Sequence, residues 1–182
     1  MKLNFVTGNK YKVMEAKAIL GKHGIEVVQV KLEKEEPKEF DLKKVAEMNA
    51  LFFSKKLGEP VMVEDTGLFF HEYKNFPGNH PKLMYETLGY KGLLKLMDGV
   101  KDRRAEFRTV VAWCDGKKVK SFVGSVLGEV TNKIHGEKDD VMPYERIIKI
   151  DGEPVTYMSR EKKNRISHRA KAFMQLGEYL CK

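Results

Sequence analysis

Residues 3 to 20 constrain the fold of this chain more than any other stretch. Leu3-Asn4-Phe5-Val6 is a short apolar run, Thr7-Gly8-Asn9-Lys10-Tyr11-Lys12 follows it, and Val13, Ala16 and Leu20 then recur at helical spacing. That order reads as strand, tight turn, helix. Gly8 permits a sharp turn and Asn9 is a good N-cap. A helix start carries unpaired backbone N–H groups, and with Lys10 and Lys12 beside them it makes an anion site. The competing reading is an ordinary strand-to-helix turn with two solvated lysines, because such loops are abundant.

The alternation continues. Ile25 to Val30 reads as a second strand, an acidic stretch runs from Glu33 to Asp41, and a helix from Leu42 to Lys56 turns Val45, Met48, Asn49, Phe52 and Phe53 toward the inside. Pro60 to Val63 is a buried strand that delivers Glu64 and Asp65 at its C-terminal end. Strands alternating with helices imply an α/β core with parallel pairing. The middle of the chain differs. Pro77 to Pro81 reads as a turn, and a helix with Leu83, Leu88, Leu93, Leu94 and Leu96 comes next. Ala105 to Cys114 and Lys118 to Val130 are two longer strands joined at Asp115-Gly116, a hairpin signal. Arg146 to Ile150 is a further strand, and a last helix starts near Ser167 and buries Ala170, Phe173, Met174 and Leu180. The expected architecture is α/β, a single domain over residues 1–182 with two lobes. It has a central mixed, twisted sheet flanked by helices, with the active-site cleft between the lobes.

Composition narrows the class. With 42% apolar residues in 182, the chain can bury a substantial core and is not of the disordered type. No apolar run approaches the roughly 18 residues that span a bilayer, and the polar start is unlike a signal peptide. Cys114 and Cys181 are the only cysteines, which fits neither a disulfide scaffold nor a metal cage; a cytoplasmic setting is expected. The net charge of +8 favours anionic partners without choosing among nucleotide, nucleic acid and acidic surface. The basic clusters at 101–104 and 160–165 read equally well as solvated faces.

Three groups of residues can carry chemistry. Ligands of α/β sheets collect outside the carboxyl ends of strands, so Glu64-Asp65 and the turn at 7–12 would share one edge. A phosphate held at Asn9 and Lys12 would face Asp65 if the two strands are neighbours. Glu36 or Glu33, after the second strand, would complete an all-oxygen Mg²⁺ site. Ser167 is an N-cap that places His168 and Arg169 in the first turn of the last helix, where they can donate to carbonyl groups of a ligand. The bland counterparts are a capping pair at Glu64-Asp65 and an exposed basic helix start at 163–169.

In order and spacing these segments resemble the inosine triphosphate pyrophosphatases, which remove non-standard purine triphosphates such as ITP, dITP and XTP. Thr7 to Lys12 fits that family's [ST]-x-N-x-x-K loop, and Glu64-Asp65-Thr66-Gly67-Leu68 fits its acidic-acidic-[ST]-G-L motif. Phe76-Pro77-Gly78 fits F-P-G, and Lys163-Asn164 followed after two residues by Ser167-His168-Arg169 fits K-N-x-x-S-H-R. The resemblance implies Mg²⁺-dependent attack of water on the α-phosphorus, giving a monophosphate and pyrophosphate. It implies that Asp65 is the general base and helps hold the metal, and that Glu36 is the second metal ligand, with Glu33, Glu35 and Glu39 close by. Thr7, Gly8, Asn9, Lys10, Tyr11 and Lys12 would hold the triphosphate, Thr66 would contact substrate, and Lys163, His168 and Arg169 would recognise the purine. A homodimer is also implied, with no membrane and no stable nucleic-acid partner.

Two segments depart from that pattern. Asn79-His80-Pro81-Lys82-Leu83 replaces a small, aromatic-rich run after F-P-G, and Met142-Pro143-Tyr144-Glu145 stands where the family carries F-G-Y-D in its base pocket. Met142 covers a purine face with looser geometry than a phenylalanine, while Tyr144 and Glu145 keep an aromatic and a carboxylate. Retained pyrophosphohydrolysis with altered or relaxed base preference is therefore expected. The alternatives are a Maf-like nucleotide pyrophosphatase, whose S-x-S-x-R-R loop residues 7–12 do not supply, and a basic nucleic-acid-binding domain. The latter lacks aromatics beside its basic runs.

Overall fold

A computed structural model describes residues 1–32, 41–74, 76–136 and 140–182. β1 (Lys2–Val6) is paired in parallel on both sides, by β2 (Glu26–Val30) and by β3 (Val61–Phe70), with Asn4 opposite Val61 and Phe5 opposite Met62. α1 (Lys10–Leu20) links β1 to β2 and buries Val13, Ala16, Ile19 and Leu20. They pack with Leu3, Phe5 and Val27 of the strands and with Ala170, Ala172, Phe173 and Leu176 of α5 (His168–Leu180). The Phe5 and Phe173 rings meet edge to face at 5.8 Å. Burying a phenylalanine side chain contributes about 1.5–3 kcal/mol, so this layer fixes α1 and α5 against one face of β1.

The sheet order is β2-β1-β3-β5-β6-β7-β8, with β5 at Arg104–Cys114, β6 at Val119–Val130, β7 at Ile148–Ile150 and β8 at Glu153–Pro154. β4 (Pro77–Gly78) pairs antiparallel to β3, and β7 is antiparallel to both of its neighbours. Parallel pairing at β1 with antiparallel pairing at β4, β7 and β8 makes the sheet mixed, and helices flank it, as expected. The remaining helices are α2 (Leu42–Leu57), α3 (Pro81–Leu96) and α4 (Arg160–Ile166). No helix among the described residues is long and apolar enough to cross a membrane.

The chain divides into two compact units. The first comprises Met1–Thr66, Arg108–Ser125 and Asn164–Lys182. It holds the α1/α5 core just described. In it α5 lies close to β6 at Gly124, where an added Cβ would fall 2.0 Å from the His168 carbonyl oxygen. The second comprises Gly67–Phe107 and Val126–Lys163. There Arg103 closes the end of β6 by donating from Nε to the Val130 carbonyl at 2.9 Å and from Nη2 to the Thr131 carbonyl at 2.8 Å.

Several elements differ from the sequence reading. β3 does not stop at Glu64-Asp65 but runs on to Phe70, because Leu68 and Phe70 are fully buried and β4 pairs with Leu68 and Phe69. The expected turn at 77–81 therefore begins as a strand. On α2 the inward face is Leu42, Ala46, Asn49, Ala50 and Phe53, while Met48 and Phe52 are exposed; the helical stripe is rotated by about one residue from the one expected. α3 is broken at Gly89, whose φ of 60° and ψ of −178° interrupt the helical path. Of its leucines only Leu93 is buried, and Leu83 and Leu88 are exposed. α4, absent from the sequence reading, forms over the basic run, and Met174 and Leu180 of α5 are only partly buried.

Candidate active site

The loop after β1 is fixed by its own side chains. Thr7 is buried; its N–H donates to the Val30 carbonyl at 3.1 Å and its carbonyl accepts from Gln29 Nε2 at 2.9 Å. Its hydroxyl accepts from the Asn9 N–H at 3.1 Å. Asn9 caps α1, with Oδ1 accepting from the N–H groups of Tyr11 and Lys12 at 2.9 and 3.4 Å. Two of the amide groups expected to bind an anion are thus satisfied within the loop, and a phosphate would have to displace the cap. Gly8 is exposed, and an added Cβ there would meet nothing within 4 Å. Lys10 is exposed and lies 4.8 Å over the Tyr11 ring.

Because β1 and β3 run in parallel with Phe5 opposite Met62, the residue after β1 comes level with Glu64. Lys12 reaches across that gap. Its ammonium ion-pairs with Glu64 Oε2 and donates to the Glu64 carbonyl at 3.4 Å. Glu64 is fully buried and is the centre of the charged cluster. Its Oε1 accepts from Arg169 Nε at 2.9 Å, from Thr66 Oγ1, and from Thr109 Oγ1 at 3.3 Å. The Thr66 and Thr109 hydroxyls lie 2.6 Å apart. Arg169 also donates from Nη1 to Glu15 Oε2 at 2.9 Å. Burial alone would push the Glu64 carboxyl up; Lys12 and Arg169 outweigh it and hold the group far below the usual 4.5. Burial opposes the charge on Arg169 as well, but Glu15 and Glu64 more than restore it. His168, buried beside this cluster, is kept neutral first by burial and then by the Arg169 charge.

Asp65 is half-buried. Alternation along β3 puts Glu64 and Thr66 on one face, as their hydrogen bond requires, and Asp65 on the other. Lys12 therefore meets Glu64; the sequence reading set a bound phosphate, not Lys12 itself, opposite Asp65. Thr66, expected to touch substrate, spends its hydroxyl on Glu64 and Thr109.

In the second unit, Tyr144 and Glu145 sit on a 3₁₀ turn at Pro143–Arg146. Lys163 of α4 donates to Glu145 Oε2 at 2.6 Å, which joins two of the expected base-pocket residues. The Tyr144 ring is 6.4 Å from that of Tyr85, and Tyr85 is 4.9 Å from Tyr90. The Tyr144 hydroxyl is buried with no hydrogen-bond partner among the described residues, and burial pushes its ionisation up. Leaving a hydroxyl unsatisfied costs about 1–3 kcal/mol, so Tyr144→Phe is expected to raise Tm in the free protein. If that hydroxyl serves a bound base, the same variant raises KM; thermal melts and steady-state kinetics on one preparation check both.

Glu33, Glu35, Glu36 and Glu39, among them the expected second metal ligand, lie outside the described residues. Sequence reasoning missed Glu15, Thr109 and Tyr85. Glu15 carried a signal, since it stands one helical turn after Lys12; Thr109, one threonine in a strand, carried none.

A sequence profile of the Ham1 family matches residues 3–179. The chain belongs to the Ham1 family. Among its relatives is the dITP/XTP pyrophosphatase of Pyrobaculum aerophilum, 40% identical, with 99% of this chain and 96% of the relative covered. The dITP/XTP pyrophosphatase of Methanopyrus kandleri is 38% identical over 98% and 96%. Solved structures agree on the Ham1 fold: the Coxiella burnetii HAM1 protein superposes with a TM-score of 0.79 at 19% identity, covering 99% of this chain and 98% of that one. The Staphylococcus aureus Ham1 protein gives 0.76 at 21%, with the same coverage.

Proposed function

We propose that this Ham1-family chain hydrolyses non-standard purine nucleoside triphosphates, namely ITP, dITP and XTP, to the monophosphate and pyrophosphate. The observation that carries the reading is the reach of Lys12 from the capped start of α1 to the Glu64-Asp65 segment of β3. One cation-bearing loop thus meets the buried carboxylate Glu64 at the edge where β1 ends, with Asp65 the next residue of β3, and the relatives are named for an activity of this kind. Asp65 takes a proton from water as the water oxygen bonds to the α-phosphorus and the bond from that phosphorus to the α–β bridging oxygen breaks. Phosphoryl transfer leaves a protein mostly positioning and charge stabilisation to supply, which suits the loop of Asn9 and Lys12 next to the Glu64-Asp65 segment.

The donor set fits Mg²⁺, which is usually held by one or two carboxylates together with substrate phosphates. Among the described residues no three His, Cys, Asp or Glu form a ready cage, so phosphate oxygens would complete the shell. Asp65 and Glu36 would hold the ion, which when bound supplies neutralisation of charge across the phosphates. Lys163, Glu145 and Tyr144 of the second unit are assigned to the base. The setting is cytoplasmic and the assembly a homodimer, both by family resemblance.

A second reading, relaxed base preference, is favoured by Met142-Pro143-Tyr144-Glu145. One panel separates the two: ITP, dITP, XTP, GTP and ATP with Mg²⁺, assayed for pyrophosphate and for phosphate. Pyrophosphate from ITP and XTP with little turnover of ATP is expected; equal turnover of ATP and ITP establishes the relaxed reading. Phosphate as sole product defeats the α-phosphorus mechanism.

A further inference from the structure

We propose that Glu64 is an internal counter-ion of the triphosphate site: it neutralises Lys12 in the free protein, is exchanged for substrate phosphates, and limits how tightly anionic product is held. The inference rests on the function proposed above and concerns a residue that function leaves without a role. Its basis is the unequal use of the two Glu64 oxygens. Arg169 Nε, Thr66 and Thr109 all bond to Oε1, whereas the Lys12 ammonium sits on Oε2. Lys12 can therefore leave while three partners still hold the carboxylate in place. Arg169 is tied at once to Glu64 and Glu15 and is 4% exposed, which makes it a fixed member of the cluster. The Lys12 side chain is 19% exposed, against 0% for Glu64, so the exchangeable member of the pair is the one that solvent and solutes can reach.

Charge balance points the same way. Lys12 and Arg169 are matched by Glu64 and Glu15, so these four residues present no net charge to an arriving triphosphate. Phosphate oxygens must compete with Oε2 for the ammonium. The competition weakens binding of every anion, and it weakens pyrophosphate as much as substrate. After the α–β bond breaks, return of Lys12 to Glu64 helps the product depart. Glu64 is thus a positioning residue that acts through Lys12.

Tripolyphosphate and pyrophosphate are suitable probes because they carry no base. Hydrogen bonds to charged groups contribute about 1.5–3 kcal/mol, which at 1.4 kcal/mol per decade is about tenfold or more. Glu64→Gln is expected to lower the Ki of both probes by about tenfold and to lower kcat, with a burst of pyrophosphate before the steady state. In a Lys12→Met background the same substitution should leave Ki unchanged. A purely structural Glu64 would instead raise Ki and lower kcat together, and that result overturns the proposal.

Should Glu64→Gln not fold, the wild-type protein still decides. With lysine labelled by ¹⁵N at Nζ, the ammonium signal lost in Lys12→Met should shift and exchange faster with solvent once tripolyphosphate saturates. A Lys12 signal unmoved at saturation overturns the exchange. The ¹⁵N titration needs no turnover, so absence of pyrophosphate from every nucleotide would defeat the proposed function and leave the counter-ion result to stand or fall separately.

Discussion

Asp65→Asn is expected to lower kcat by about 10²–10⁴-fold, the usual worth of a positioned general base, with Tm almost unchanged. The contrast between the two adjacent carboxylates makes this a sharp expectation. Glu64 is fully buried and tied to two cations and two hydroxyls, so removing its charge lowers Tm. Asp65 lies on the opposite face of β3, half-buried, and is assigned to water and metal. Asparagine keeps its size and one oxygen but cannot accept the proton. Rapid-quench kinetics with ITP, beside a thermal melt, would measure both quantities. Turnover within a few-fold of wild type removes Asp65 as the base. A fall in Tm of several degrees would mean that it is part of the structural cluster instead.

The parts of this molecule that follow local rules were legible in the sequence. The strand-turn-helix at 2–20 appears with Asn9 as the cap, and Ser167 caps α5. Both are short-range patterns, set by one side chain and the next few amides. The end of β3 was not legible, because Glu64-Asp65 looks like the polar close of a strand. Only partners far along the chain, Lys12 and Arg169, make a carboxylate tolerable inside a sheet. The same limit applies to roles. His168 and Arg169 read as an exposed basic helix start or as purine donors, yet both are buried, and Arg169 gives two of its nitrogens to carboxylates. Charge identity is visible in a sequence, whereas the counter-charge that consumes it arrives through the tertiary fold.

Arg169→Met should therefore act first on stability, lowering it by about 3–5 kcal/mol, because removing one member of a buried ion pair leaves the other uncompensated. Glu64 would keep Lys12 and the two hydroxyls, while Glu15 would lose the Arg169 partner. The pH dependence separates this from simple loss of packing. In the wild type the Glu64 carboxyl titrates well below its ordinary 4.5, so its contribution is complete above about pH 4.5 and is lost as pH falls toward the folded-state value. Without Arg169 that depression shrinks, and less stability remains to be lost in acid. The gap in Tm between wild type and Arg169→Met should narrow steadily below pH 4.5 and be constant above it. A gap independent of pH would assign the loss to the missing side-chain volume. A double variant, Arg169→Met with Glu64→Leu, should recover part of the stability, since apolar side chains of similar size can replace a buried pair at little cost.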